Sequence, residues 1–255
     1  MSSLDWTGFD VAVALWAAAA VPILFLTLGL TAPYGRYRRE GWGRAVPAIA
    51  AWIGMESVSL VLFNLLFWTG GRFDDPARWA FWALFTAHYT NRTIIYPLRS
   101  RMKGTTMPLS VMAMAMGFNT MNGLANGWGL FHRDRSYGAD WLTDPRFLVG
   151  CALFVGGMAL NLQADAVLRA LRKPGETGYA IPMGGAYRLV SCPNYLGEIL
   201  EWIGFAVATW SLPALGFALW TIANLAPRAR SHHRWYRERF PAYPTERRAL
   251  VPFLW

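Results

Sequence analysis

Glu56 stands in the middle of an apolar run, Ala51-Trp52-Ile53-Gly54-Met55-Glu56-Ser57. An ionisable group at membrane depth costs about 3 kcal/mol to insert, so it marks a place to look for chemistry. Two roles are open. Glu56 is a structural partner for Arg92, or it is a neutral acid that donates a hydrogen bond or a proton to a substrate, since a low-dielectric site favours the uncharged form. Another apolar run carries His88, Tyr89, Arg92 and Tyr96, and spacings of three and four put Tyr89, Arg92 and Tyr96 on one helix face. Asn119, Asn122 and Asn126 form an amide stripe that reads as interhelical glue. The last third is denser. Asn161, Asp165, Arg169 and Arg172 share a face, as do Asn194, Glu198 and Glu201, and as do Arg228, His232 and Tyr236. Three such stripes, joined by a Gly/Pro-rich loop, read as the walls of a polar pocket whose arginines suit phosphates.

The elements that must position these residues are membrane helices. The chain has 255 residues, 55% hydrophobic and only 15% charged, against about 25% charged in a soluble domain. Apolar runs recur at 11–30, 46–68, 79–98, 109–124, 147–162 and 196–225. About 20 apolar residues span a bilayer, and open-edged sheets are excluded at that depth. The run 196–225 is long for one span and short for two, and Ser211-Leu212-Pro213 interrupts it. Charge parity predicts a tight hairpin there, with two spans meeting at residues 210–213 and seven spans in all. With the N-terminus outside, the inner loops and tail hold eighteen Lys and Arg, Arg36 and seven tail arginines among them, and the outer loops hold five. The C-terminus is then cytosolic.

The net charge of +9 is thus a topological signal, and nucleic acid is not an expected partner. Met1–Asp10 lacks the Lys and Arg of a cleavable signal. The expected fold is an all-α polytopic bundle, 1–255, in one domain. Its first four helices (1–130) form much of a substrate cavity, and 147–255 forms a cofactor site. Outer loops are expected at 69–78 and 128–146, a structured polar loop at 172–193, a basic helix over 226–248 and an apolar return to the membrane surface at 250–255. No strand is evident. Neither Cys151 nor Cys192 has a pairing or metal-ligand spacing, and His232-His233 lacks the ligands that would complete a metal site. No Rossmann or Walker motif is present either.

Several segments resemble the steroid 5-alpha-reductase family. They are Leu171-Arg172-Lys173-Pro174-Gly175-Glu176, Ile181-Pro182-x-Gly184-Gly185, Asn194-Tyr195-Leu196-Gly197-Glu198-Ile199-x-Glu201-Trp202-Ile203-Gly204, Ala208-Thr209-Trp210-Ser211-Leu212-Pro213-Ala214 and His232-His233-Arg234-x-Tyr236. The likeness is strong from 161 to 255 and looser before, at Glu56 and at His88-Tyr89-x-x-Arg92-Thr93. Ser231 departs from the third consecutive His of some members. The resemblance implies a seven-helix reductase that uses NADPH on a 3-keto steroid with a 4,5 double bond. It implies that Glu56 and Tyr89 hydrogen-bond the keto oxygen. It implies that Arg92, Asn161, Asp165, Arg172, Tyr179, Asn194, Glu198, Arg228, His232 and Tyr236 hold the dinucleotide, and that Trp52, Met55 and Trp202 line the steroid cavity.

That chemistry is coherent. Hydride addition at the beta carbon builds negative charge on the keto oxygen, where two hydrogen-bond donors act like an oxyanion hole. A steroid or sterol-like enone would arrive from the bilayer and NADPH from the cytosol, with membrane lipids the other partners and no obligate protein partner evident. The Ala- and Arg-rich, Lys-poor composition reads as bacterial, so the inner membrane is expected, the endoplasmic reticulum being its eukaryotic counterpart. Two rival readings remain. One is a membrane methyltransferase of the isoprenylcysteine type using S-adenosylmethionine, which shares a Pro193-x-Tyr195-x-Gly197 turn and a basic Arg/His helix. The other is a non-enzymatic steroid- or lipid-binding membrane protein.

Overall fold

The computed structural model describes residues 7–33, 35–100, 102, 104–133, 135–171 and 178–255. Most of them are helical: α1 (Gly8–Gly29), α2 (Ala48–Gly70), α3 (Pro76–Thr90), α4 (Tyr96–Arg99), α5 (Leu109–Phe131), α6 (Pro145–Ala170), α7 (Pro193–Thr209) and α8 (Leu212–Arg239). One π-helical turn, Asn91–Ile95, joins α3 to α4. The helix starts carry their own signals. Thr7 and Asp10 form a capping box on α1, and Asp75 and Asp144 cap α3 and α6. Proline occupies the first turn of α3, α6, α7 and α8, where its missing N–H has no partner to lose.

Among the described residues three helices, α1, α2 and α6, are long and apolar enough to cross a bilayer. Their outer faces expose Leu15, Phe25, Val61, Leu65, Val149 and Val155. Water opposes such a surface and lipid accepts it, so this is a membrane protein. The buried side of the bundle is aromatic. Phe63, Phe81, Phe85, Phe131, Phe154, Trp202 and Phe205 form its centre.

The long run at 196–225 is broken where the sequence predicts. Trp210 adopts a left-handed conformation (φ 46°, ψ 43°) and α8 restarts at Leu212. A helix end leaves carbonyls unpaired. Here Trp141 Nε1, Tyr137 Oη and Arg135 Nη1 donate to the carbonyls of Ala208, Thr209 and Trp210 at 2.8, 2.9 and 2.7 Å.

Other boundaries differ from expectation. Helix α5 runs on to Phe131, into the segment expected as a loop from 128. Gly123 and Gly127 remain helical because their missing side chains let α5 lie against Ser59, Leu62 and Leu66 of α2. The tail helix stops at Arg239 rather than near Arg248, with Pro241 and Pro244 following. The reading without strands also needs correction. Ala45–Pro47 (β1) pairs antiparallel with Thr106–Pro108 (β2), Val46 opposite Met107. This short ladder ties the start of α2 to the start of α5, and it makes Val46 a strand residue rather than the first of a span.

The most extensive helix pair is α6 on α7. Glycines at heptad spacing make the seam: Gly150 and Gly157 on α6, Gly197 and Gly204 on α7. A Cβ on Gly157 would lie 2.5 Å from Gly197 O and 2.6 Å from Glu201 N, so the backbones touch. Gly156 faces open space. We therefore expect Gly157→Ala to lower the unfolding temperature in detergent by about 2–10 °C, the range for overpacking by one methyl. Gly156→Ala should be neutral or stabilising, as helix propensity alone would have it. Equal behaviour of the two variants in a thermal melt would contradict the seam.

Candidate active site

Arg92 sits in the π turn, and its surroundings come from three other segments. Its Nη2 lies 3.6 Å from Glu56 Oε1 of α2, and its Nη1 lies 4.0 Å from Glu198 Oε2 of α7. The guanidinium stacks 4.8 Å from the Trp52 ring and 4.9 Å from the Tyr96 ring. The local backbone explains why Trp52 is needed. In the π turn, Tyr96 N–H bonds to Asn91 O, five residues back. The next N–H in that pattern would serve Arg92 O, but residue 97 is proline and has none. Trp52 Nε1 donates to Arg92 O instead, at 3.1 Å. A second proline repeats the device. Pro227 within α8 cannot serve Ala223 O, and Thr27 Oγ1 of α1 donates there at 2.9 Å.

These groups face one cavity of about 660 Å³, within the usual range for a ligand site. Its wall follows α8 from Phe217 to Tyr236, about 28 Å of helix. The upper wall is apolar: Ile23, Met55, Met107, Val111, Phe118 and Trp220. The other end is polar. Of the residues singled out in the sequence, Trp52, Met55, Glu56, Tyr89, Arg92, Asn161, Asp165, Asn194, Glu198, Arg228, His232 and Tyr236 all line this cavity. Asn161 Nδ2 donates to Asn194 O at 2.9 Å, and Asn194 Nδ2 donates to Asp165 Oδ1 at 3.1 Å, so the glycine seam sets α6 and α7 in register here. A smaller cavity of about 260 Å³ shares Arg36, Tyr96, Asp165 and Tyr236 with the first and adds Arg169 and Tyr179.

Two residues stand elsewhere. Trp202 is 1% exposed and lies inside the aromatic core, 4.4 Å between rings from Phe217, rather than in the cavity wall. Glu201 leaves its stripe to pair with Nδ1 of His88, which does line the cavity. Arg172 lies outside the described residues.

The tail and the loops before α2 and α7 close the polar end. His232 bridges two tyrosines, with Nδ1 3.2 Å from Tyr37 Oη and Nε2 3.1 Å from Tyr195 Oη. Ser191 Oγ meets His233 Nδ1 and Tyr243 Oη, both at 2.6 Å, and Arg247 Nη1 donates to Pro182 O at 2.9 Å, which fixes the Gly/Pro loop to the tail. Arg36 entered the sequence reading only as an inner-loop charge. It is stacked by Tyr179, Trp235 and Tyr236 at 4.7, 4.3 and 5.0 Å. Its buried Nη1 has no hydrogen-bond partner among the described residues. No periodicity could reveal it, because it is held by residues some 140 to 200 positions away.

The amide stripe is glue, and more. Asn119 Nδ2 donates to Met55 O at 2.6 Å, and Asn122 Nδ2 donates to Tyr89 Oη at 2.7 Å. The stripe thus holds α5 to both helices that carry Glu56 and Tyr89.

Comparison with known proteins identifies relatives of this chain. A family model described as 3-oxo-5-alpha-steroid 4-dehydrogenase matches residues 105–255. The chain is 44% identical over 255 residues to the steroid 5-alpha-reductase DET2 of Gossypium hirsutum, covering 98% of this chain and 99% of that protein. It is 40% identical over 258 residues to the steroid 5-alpha-reductase DET2 of Arabidopsis thaliana, covering 98% of each. It is 42% identical over 223 residues to the 3-oxo-5-alpha-steroid 4-dehydrogenase 1 of Homo sapiens, covering 87% of this chain and 85% of that protein.

Cys192, also in the cavity wall, offers a probe of how closed the polar end is. Burial pushes its thiol up to about 12, with Arg36 and Arg228 pulling weakly the other way. The raised value leaves almost no thiolate at pH 8, so iodoacetamide should label Cys192 at least about 100-fold more slowly than a free thiol. Peptide mass spectrometry of the folded protein checks this, and labelling at the free-thiol rate would contradict the closed geometry.

Proposed function

The chain belongs to the steroid 5-alpha-reductase (3-oxo-5-alpha-steroid 4-dehydrogenase) family, and on that premise we propose that it reduces the 4,5 double bond of a 3-oxo steroid, or a similar lipid enone, with NADPH. The observation that carries this reading is one continuous cavity in which an apolar wall meets Glu56, Tyr89 and Arg92. A flat apolar ketone suits the first part, and the only polar groups it needs are donors for its oxygen.

The residues fit a dinucleotide. The partnerless Nη1 of Arg36 and the guanidiniums of Arg92 and Arg228 suit phosphates. Asp165 and Glu198 suit sugar hydroxyls, and Asn161 and Asn194 offer amides. We assign these, with Arg172, Tyr179, His232 and Tyr236, to holding NADPH; the two ring nitrogens of His232 already engage Tyr37 and Tyr195, so it acts through them. When bound, NADPH supplies the hydride for the beta carbon of the enone.

The chain's own part is at the keto oxygen. Glu56 and Tyr89 donate hydrogen bonds there, strengthening as charge builds on the oxygen. Glu56 can donate only in its acid form. Arg92 meets two carboxylates, Glu56 and Glu198, so one cation faces two potential anions and the site has room for one proton. Trp52 and Met55 line the substrate side. Trp202 supports that wall from behind, packed against Tyr89 and His88.

The proposed topology has seven spans. The helices other than α1, α2 and α6 cross as well, α3 and α4 as one rod, with the N-terminus outside and the polar end cytosolic. The inner-side excess of Lys and Arg supports it. NADPH then comes from the cytosol, and the steroid from the bilayer.

Purified protein in detergent, given NADPH and a conjugated 3-keto steroid, should lose absorbance at the nicotinamide band only when both are present. Glu56→Leu, which unlike Gln leaves no donor, should lower kcat by about 100-fold, as for one oxyanion donor, while NADPH still binds. Wild-type turnover in that variant would remove Glu56 from the mechanism. Failure to oxidise NADPH with any enone, together with methyl transfer from S-adenosylmethionine, would overturn the reading.

A further inference from the structure

The hydrogen bonds around Tyr89 have a direction that can be worked out from chemistry alone. A backbone carbonyl only accepts. The atom of Asn126 that lies 3.2 Å from Asn122 O must therefore be the amide nitrogen. The same Nδ2 lies 2.9 Å from the Asn122 side chain, so the atom it meets there must be the acceptor, Oδ1. The other terminus of Asn122 is then Nδ2, and it donates to Tyr89 Oη at 2.7 Å and to Ser59 Oγ at 3.3 Å. Ser59 gives its own proton to Asn119, at 3.0 Å from the carbonyl and 3.2 Å from Oδ1. Asn122 and Asn126 are both fully buried, so no water competes for these amides. Tyr89 Oη accepts from Asn122; the Ser59 hydroxyl is its other polar neighbour but lies outside ordinary hydrogen-bond geometry, so among the described residues no acceptor holds the phenolic proton at close range.

We propose that Asn126 and Asn122 form a one-way relay that keeps Tyr89 a hydrogen-bond donor toward the cavity. Neither amide touches the reacting atoms; both are positioning residues. Asn126 fixes the flip of Asn122, and Asn122 occupies an acceptor site of the phenol. The phenolic proton is left to a keto oxygen in the cavity. Had Asn122 presented Oδ1 instead, it would have taken that proton and turned Tyr89 into an acceptor, which repels a ketone. The inference rests on the reading of Tyr89 as a donor to the substrate.

Asn122→Asp tests the direction, because the ionised carboxylate can only accept while the neutral acid, which burial favours, still donates. The expected result is near-normal kcat while the introduced carboxyl is protonated and a kcat about 100-fold lower once it ionises at higher pH, with an unchanged KM for NADPH. In a Tyr89→Phe background, the same substitution should change kcat by less than about twofold, since the relay acts only through the phenol. Asn126→Leu is the second variant. It removes the group that sets the flip, and it should cost about tenfold in kcat, an effect that also vanishes in the Tyr89→Phe background. Affinity for the saturated 3-keto product, measured by tryptophan quenching, should follow the same pattern without turnover. Thermal melts identify any variant that fails to fold, in which case the other one decides. Equal losses with and without the Tyr89 hydroxyl, or full kcat in both amide variants, would overturn the relay. Full turnover by Tyr89→Phe alone would instead overturn the reading of Tyr89 on which it rests, and the unaltered protein's inactivity toward enones would overturn the functional reading.

Discussion

A guanidinium held among apolar helices must be neutralised and hydrogen-bonded where it lies, and Arg92 sets this condition for the whole site. Removing one partner from a buried ion pair costs about 3–5 kcal/mol. Arg92 therefore binds together the helices that supply its partners: α2 through Glu56, α7 through Glu198, and its own rod through Tyr96. Trp52 serves it twice, once by its ring face and once by its indole N–H on the carbonyl that Pro97 leaves without a partner. The cavity lies where these helices converge. Its polarity follows from the same requirement, because carboxylates drawn toward a cation cannot also pack against lipid.

The same economy recurs in the scaffold. Proline inside α8 frees a carbonyl, and a threonine from α1 occupies it. Glycines let α6 and α7 touch, and the contact brings Asn161 to Asn194 and Asn194 to Asp165. Aromatic and arginine side chains of the loop after α5 close the turn between α7 and α8. In each case an unpaired backbone group or an absent side chain makes an opening, and a distant residue fills it. Such openings are affordable only when filled, since an unmet polar group in an apolar interior has no water to turn to.

Much of this was legible in the residues. Run lengths revealed the long helices, and Ser211-Leu212-Pro213 revealed the break between α7 and α8. Spacings of three and four gathered Asn161 with Asp165, and Arg228 with His232 and Tyr236, onto cavity-facing stripes. Periodicity reports a helix face but not what that face meets. Glu201 sat on the right stripe and yet pairs with His88, 113 positions away. Trp202 packs in the aromatic core for a related reason, since spacing does not say which neighbour an aromatic ring on α7 will meet. The ends of α5 depended on whether glycine would pack or break, which only the neighbouring helix decides. Arg36 stayed hidden because its cage comes from the far end of the chain. The resemblance to a known family supplied roles that spacing alone left open, above all for Glu56.

The central claim is that one cavity brings an enone's beta carbon to a bound nicotinamide while Glu56 and Tyr89 hold the ketone oxygen. The most direct measurement uses NADPH carrying deuterium at its transferable position, with a 3-keto-4-ene steroid in ordinary water. Mass spectrometry and NMR of the product should place one deuterium at carbon 5 and none at carbon 4. A product without deuterium, or with deuterium at carbon 4, would contradict the account.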